Sequence, residues 1–158
     1  MNIILNYSNY PVIKDSNKSS IFLAGPTPRS SEVISWRNEA INILKQLDYN
    51  GIIYIPECDF LNSNFDYTTQ VEWEWEAMEY ADIILFWVPR SKELPGFTTN
   101  VEFGYWLGKN RQKVYYGRPD EAINNRYLDA LYFKLNKRQP FNSLFGLIYD
   151  IIHVLRGN

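Results

Sequence analysis

Short apolar runs recur along the chain, with amphipathic stretches between most of them. Residues 20–25 (SIFLAG), 52–56 (IIYIP), 82–88 (DIILFWV) and 113–117 (KVYYG) are continuous apolar segments of strand length. Such runs fit strands buried on both faces better than strands with one wet side. IILNY near the N-terminus predicts a further short strand. The turn-rich, polar segment after it makes residues 1–19 an N-terminal extension or edge structure. A helix is expected over residues 31–47, where Ile34, Ala40, Ile41, Leu44 and Leu47 share one face, with Ser30 or Ser31 as its cap and Asn50-Gly51 as the return turn. Residues 71–81 predict a second helix, with Trp73, Ala77 and Tyr80 on one broad face and Glu72, Glu76 and Glu79 around another. Residues 98–109 predict a third, and further helices are expected over residues 124–132 and 143–155. Strands alternating with helices in this way predict a three-layer α/β domain with a largely parallel sheet.

Composition narrows the classes of function. The 158 residues, 46% hydrophobic and 22% charged, suit one domain spanning 1–158, able to bury roughly two-thirds of its unfolded surface. The formal net charge of −2 and a pI near 5.4 supply no basic field for a polymeric nucleic acid. One cysteine, Cys58, excludes an intrachain disulfide, and one histidine, His153, excludes a histidine-rich metal site, so neither metal nor cofactor is expected. No apolar run is long enough for a membrane helix and no secretory pattern is present, which makes the cytoplasm the expected location. Five Trp, twelve Tyr and nine Phe exceed ordinary usage and suit core packing, a flat ligand or a subunit interface.

In a parallel sheet, ligands sit beyond the strand C-termini. Four loops converge there: 25–29, 56–60, 89–100 and 117–120. GPTPR at 25–29 has neither the Lys-Ser/Thr end of a nucleoside triphosphate loop nor the glycine spacing of a dinucleotide turn. The acids therefore become the chemical candidates. Glu102, near the start of the helix after the third run, and Glu76, preceded by Glu72 and Glu74 in the helix before that run, could converge on a ligand. Paired carboxylates serve nucleophilic and acid/base work at a sugar carbon.

The series IFLAGP, WR, YIPE, WEWEAMEYADIILFWVP and TTNVEFG resembles the nucleoside 2-deoxyribosyltransferase-like family over residues 20–117. The resemblance implies a flavodoxin-like three-layer fold with a mainly parallel, five-stranded sheet. It also implies cleavage or exchange of the N-glycosidic bond of a 2-deoxyribonucleoside or its 5′-monophosphate. Glu102 is then the nucleophile toward C1′, and Glu76 is the nearest match to the carboxylate that assists departure of the base, with Glu74 the alternative. Gly25, Pro26 and Arg29 match the sugar-side loop. In place of the family's base-recognising loop this chain has SKELPGFTTN, which leaves Glu93, Thr98, Thr99 and Asn100 as equivalents, with Trp87 and Phe97 able to meet a planar base. Thr99 and Asn100 are candidate caps for the helix that carries Glu102. Arg29, Arg90, Lys92 and Arg118 are the candidate cations for a 5′-phosphate. The partners implied are a small nucleoside or nucleotide, a nucleobase, and further copies of the chain, in at least a dimer. The departure in the loop before Glu102 leaves a noncatalytic nucleotide-binding or regulatory protein as the alternative, and a structural oligomer fits if the aromatic faces seal the crevice.

Overall fold

The computed structural model describes residues 11–57 and 66–157, and the backbone of residues 3–5. Residues 58–65, with Cys58 and most of the expected 56–60 loop, lie outside the described residues, as does most of the 1–10 segment. The strands are β1 (Ile3–Leu5), β2 (Ser20–Ala24), β3 (Ile52–Tyr54), β4 (Ile83–Trp87) and β5 (Val114–Gly117). The helices are α1 (Trp36–Gln46), α2 (Tyr67–Tyr80), α3 (Phe97–Lys109), α4 (Arg126–Asn136) and α5 (Leu144–Leu155). All strand pairings are parallel in the order β1-β3-β2-β4-β5. The flavodoxin-like α/β class holds: β2 to β5 carry the core, and β1 joins at the open edge of β3. Beyond β5 a single parallel bridge, Gly117 to Phe141, continues the pairing.

The strands read as unbroken apolar runs because the sheet is covered twice. Phe22, Ala24, Tyr54, Ile84, Phe86 and Tyr116 point to one face, where Trp73 and Ala77 of α2, Phe103 and Trp106 of α3, and Leu128 and Tyr132 of α4 close over them. Their immediate neighbours Ile21, Leu23, Ile53, Ile83, Leu85 and Tyr115 point to the other, against Ala40 and Leu44 of α1 and Leu147 and Ile151 of α5. Side-chain alternation of period two thus sorts each run into two cores. No helix among the described residues is long and apolar enough to cross a membrane.

Two helix starts differ from the sequence expectation, and both differences shape the ligand-binding edge. α1 begins at Trp36 instead of residue 31, with Ser35 as its cap accepting from Arg37 N at 3.2 Å. The preceding Ser30 and Ser31 stay in the loop. α2 begins at Tyr67, a turn earlier than residue 71, which brings Tyr67 and Gln70 into register with Glu74 on one helix face.

Candidate active site

A cavity of about 780 Å³ opens at the C-terminal edge of the sheet. Its walls are the loop after β2 (Gly25, Thr27 to Ser31), the start of α1 (Ser35, Asn38), the end of β3 (Ile55 to Glu57), α2 and the start of α3. Tyr67, Gln70 and Glu74 recur at helical spacing along the inner face of α2. Thr98 and Glu102, four residues apart, do the same on α3, so Glu74 and Glu102 face one space from two helices.

Backbone geometry closes the wall opposite. Gly25 has φ +147°, and a Cβ there would sit 2.1 Å from the Trp87 carbonyl oxygen, so only glycine lets the end of β2 lie against the end of β4. Gly96, at φ +57°, caps α3 where a Cβ would fall 2.5 Å from Pro26 Cγ. The loops after β2 and β4 are therefore pressed together beside the cavity.

Arg37 holds this wall. It is 1% exposed, and its guanidinium donates to the carbonyls of Leu23 (2.9 Å), Gly25 (2.8 Å) and Pro26 (3.3 Å), to Thr27 Oγ1 (3.3 Å) and to Glu57 Oε1. A buried cation is tolerated because each arm of the fork finds an acceptor. Ser35 Oγ donates to the same Glu57 oxygen at 2.9 Å.

The two facing acids are electrostatically coupled. Burial, with the Glu74 charge second, pushes the Glu102 carboxyl up to about 8, and Arg37 offsets only part of this. Glu74 is also raised, chiefly by burial, against the opposing pull of Gln70 and Arg37. Gln70 Nε2 donates to Glu74 Oε1 at 2.8 Å and fixes that side chain. Near neutral pH Glu102 therefore holds its proton, with a second buried carboxyl facing it across the cavity, so that one carboxyl can act as an acid and the other as a base or nucleophile.

A sequence model of the nucleoside 2-deoxyribosyltransferase-like family matches residues 18–120. The chain belongs to that family. A comparison with curated proteins finds no match. The nucleoside 2-deoxyribosyltransferase-like region covers β2 through β5, and so includes every wall of the cavity.

Of the residues named from sequence, Gly25, Arg29, Glu74, Phe97, Thr98 and Glu102 meet at the cavity. Glu76 does not. It forms an ion pair with Lys14 at 2.9 Å on the outer side of α2, and Glu74 takes the inward position. Two residues along a helix turn a side chain by about 200°, so a match by spacing alone cannot separate positions 74 and 76 by face. Pro26 lies behind the wall, and Trp87 is buried in the core formed with α1 and α5. Glu93 is exposed and accepts from Ser91 Oγ away from the cavity. Thr99 is buried under the first turn of α3, and Asn100 accepts from Arg90 at 2.6 Å, so neither serves as the cap that Gly96 provides. Among the candidate cations, Arg118 is engaged by Asp129, Arg90 is buried with its guanidinium on Asn100 and the Asn124 carbonyl, and Lys92 is not in the cavity lining.

Arg37, Glu57, Gln70 and Tyr67 are site residues to which the sequence pattern alone gives no role. The signals were present for two of them: Arg37 is the arginine of the WR pair, and Glu57 ends YIPE at a strand C-terminus, the edge where ligands are expected.

Proposed function

We propose that the chain cleaves or exchanges the N-glycosidic bond of a 2-deoxyribonucleoside or its 5′-monophosphate through a covalent glycosyl-enzyme. The observation that carries this reading is the facing of Glu102 and Glu74 across one cavity at the C-terminal edge of the sheet, where burial favours the protonated form of both. In the productive form Glu102 is the carboxylate and Glu74 the acid. Glu102 attacks C1′, the bond from C1′ to the base nitrogen breaks with its electron pair going to the base, and Glu74 supplies the proton that the departing base takes up. A second base or water then attacks C1′ and releases Glu102, while Glu74 recovers a proton from the incoming nucleophile. The rise of positive charge at C1′ favours ionisation of the adjacent Glu102, and the raised affinity of Glu74 for a proton suits it to serve as the acid.

Tyr67 and Phe97, each 70% exposed, stand at the start of α2 and of α3 and line the cavity, where they suit the faces of a planar base. Their exposure, with that of Val101 beside them on α3, supports assembly into at least a dimer near the cavity mouth.

Incubating the protein with a 2′-deoxynucleoside, or its monophosphate, and a different free base tests the reading. A new nucleoside establishes exchange, and free base plus free sugar establishes hydrolysis. Formation of neither from purine or pyrimidine substrates contradicts it.

A further inference from the structure

Glu57 is the acid of the cavity that neither α2 nor α3 carries. It follows the end of β3, lines the cavity and is 22% exposed at its side chain. Among the described residues, both of its hydrogen bonds fall on one oxygen: Ser35 Oγ and Arg37 Nη1 donate to Oε1. Arg37 is in turn fixed by three carbonyls and Thr27, and Ser35 is fixed as the cap of α1. The carboxylate is thus held from two sides at Oε1, and its side chain lines the cavity. We propose that Glu57 is a substrate-binding residue whose Oε2 accepts a hydrogen bond from a hydroxyl of the ligand's sugar.

Charge and shape of the cavity select this role. Among the described residues its charged lining is Arg29 against Glu57, Glu74 and Glu102. A phosphate brought to Glu57 meets like charge, whereas a neutral hydroxyl satisfies it. The aromatic side chains that suit a base, Tyr67 and Phe97, belong to α2 and α3, whereas Glu57 stands with Ser35 and Asn38 at the polar end formed by β3 and α1. A nucleoside whose base lies along the aromatic side and whose C1′ meets Glu102 directs its sugar hydroxyls toward that polar end.

The inference rests on the nucleoside reading, and Glu57→Gln tests it with little change of shape. Ser35 and Arg37 both require an acceptor, so the amide oxygen takes their side and the NH2 turns to the cavity, replacing an acceptor by a donor. Affinities are measured by calorimetry with Glu102→Gln present in both proteins to stop turnover. The ligands are 2′-deoxyadenosine and thymidine, their 3′-deoxy and 5′-deoxy analogues, and 2′-deoxyinosine. Circular dichroism checks that each variant is folded. The expected result is a roughly ten- to hundred-fold loss of affinity for the parent nucleoside on Glu57→Gln. Removing one sugar hydroxyl costs the same factor when Glu57 is present and nothing further in the protein that carries Glu57→Gln. Equal affinity with and without Glu57, or dependence on the base amino group in place of a hydroxyl, overturns the assignment and leaves the nucleoside reading standing. Absence of binding with Glu57 intact overturns both. If the double variant unfolds, the analogue series on the Glu57 protein decides, and equal affinity for parent and both deoxy analogues overturns the inference.

Discussion

Replacing Glu102 by Gln removes a buried ionisable group while keeping its size and its capacity to hydrogen-bond, and the consequence for stability has a definite sign. In the unfolded chain a glutamate ionises near its ordinary value of 4.5, whereas in the folded protein Glu102 holds its proton to about 8. Between these values the folded state carries more protons than the unfolded one, so stability falls as pH rises. The folded carboxyl forgoes about 3 kcal/mol of ionisation at pH 7 and about 1 kcal/mol at pH 5, from about 1.4 kcal/mol per pH unit. Glu102→Gln escapes this penalty. Urea unfolding of both proteins between pH 5 and 8 should therefore show the variant gaining on the native protein by roughly 2 kcal/mol from pH 5 to pH 7. The same variant should lose turnover, because an amide is a poor nucleophile at C1′. A stability difference that stays flat from pH 5 to 8 refutes the account of a desolvated, protonated Glu102, whatever happens to activity.

Other perturbations follow from the same geometry. Glu74→Gln removes the like charge facing Glu102, so the Glu102 carboxyl, followed by carbon-13 NMR titration, should move down from about 8 toward the ordinary range. Arg37→Met strands Glu57 and three carbonyls at the cavity wall, and should cost about 3–5 kcal/mol in urea unfolding. Gly25→Ala forces a Cβ to within 2.1 Å of the Trp87 carbonyl oxygen at φ +147°, and a loss of about 3 kcal/mol or more should lower the thermal midpoint by about 10 °C. Glu76→Gln should leave turnover within about two-fold of native, since only a half-exposed ion pair to Lys14 is lost, worth about 1 kcal/mol or less.

The strands were legible because they are buried on both faces, which leaves continuous apolar runs such as IILFW that no surface element shares. The chain order of strands and helices followed, and with it the cavity edge and Glu102. Helix starts were less legible. Ser30 and Ser31 carry the same capping chemistry as Ser35, and only the path of the loop around the cavity selects among them. Glu72, Glu74 and Glu76 are alike in type, and which one turns inward depends on the rotation of α2 against the sheet, set by the burial of Trp73 and Ala77. Arg37 runs against the usual preference of arginine for the surface. Its burial depends on carbonyls of Leu23, Gly25 and Pro26 and on Glu57, partners supplied by separate parts of the chain that only the tertiary fold assembles.

The central claim is that Glu102 forms a bond to C1′ of a 2-deoxyribosyl donor. The direct measurement is the intact mass of the protein, followed by peptide mapping, after incubation with a 2′-fluoro-2′-deoxynucleoside. The fluorine destabilises the oxocarbenium-like transition states and slows release of the sugar. The account predicts a mass increase of one fluorosugar, mapped to Glu102 and absent from Glu102→Gln. Turnover of ordinary 2′-deoxynucleosides that persists in Glu102→Gln, or an adduct mapped to any other residue, contradicts it.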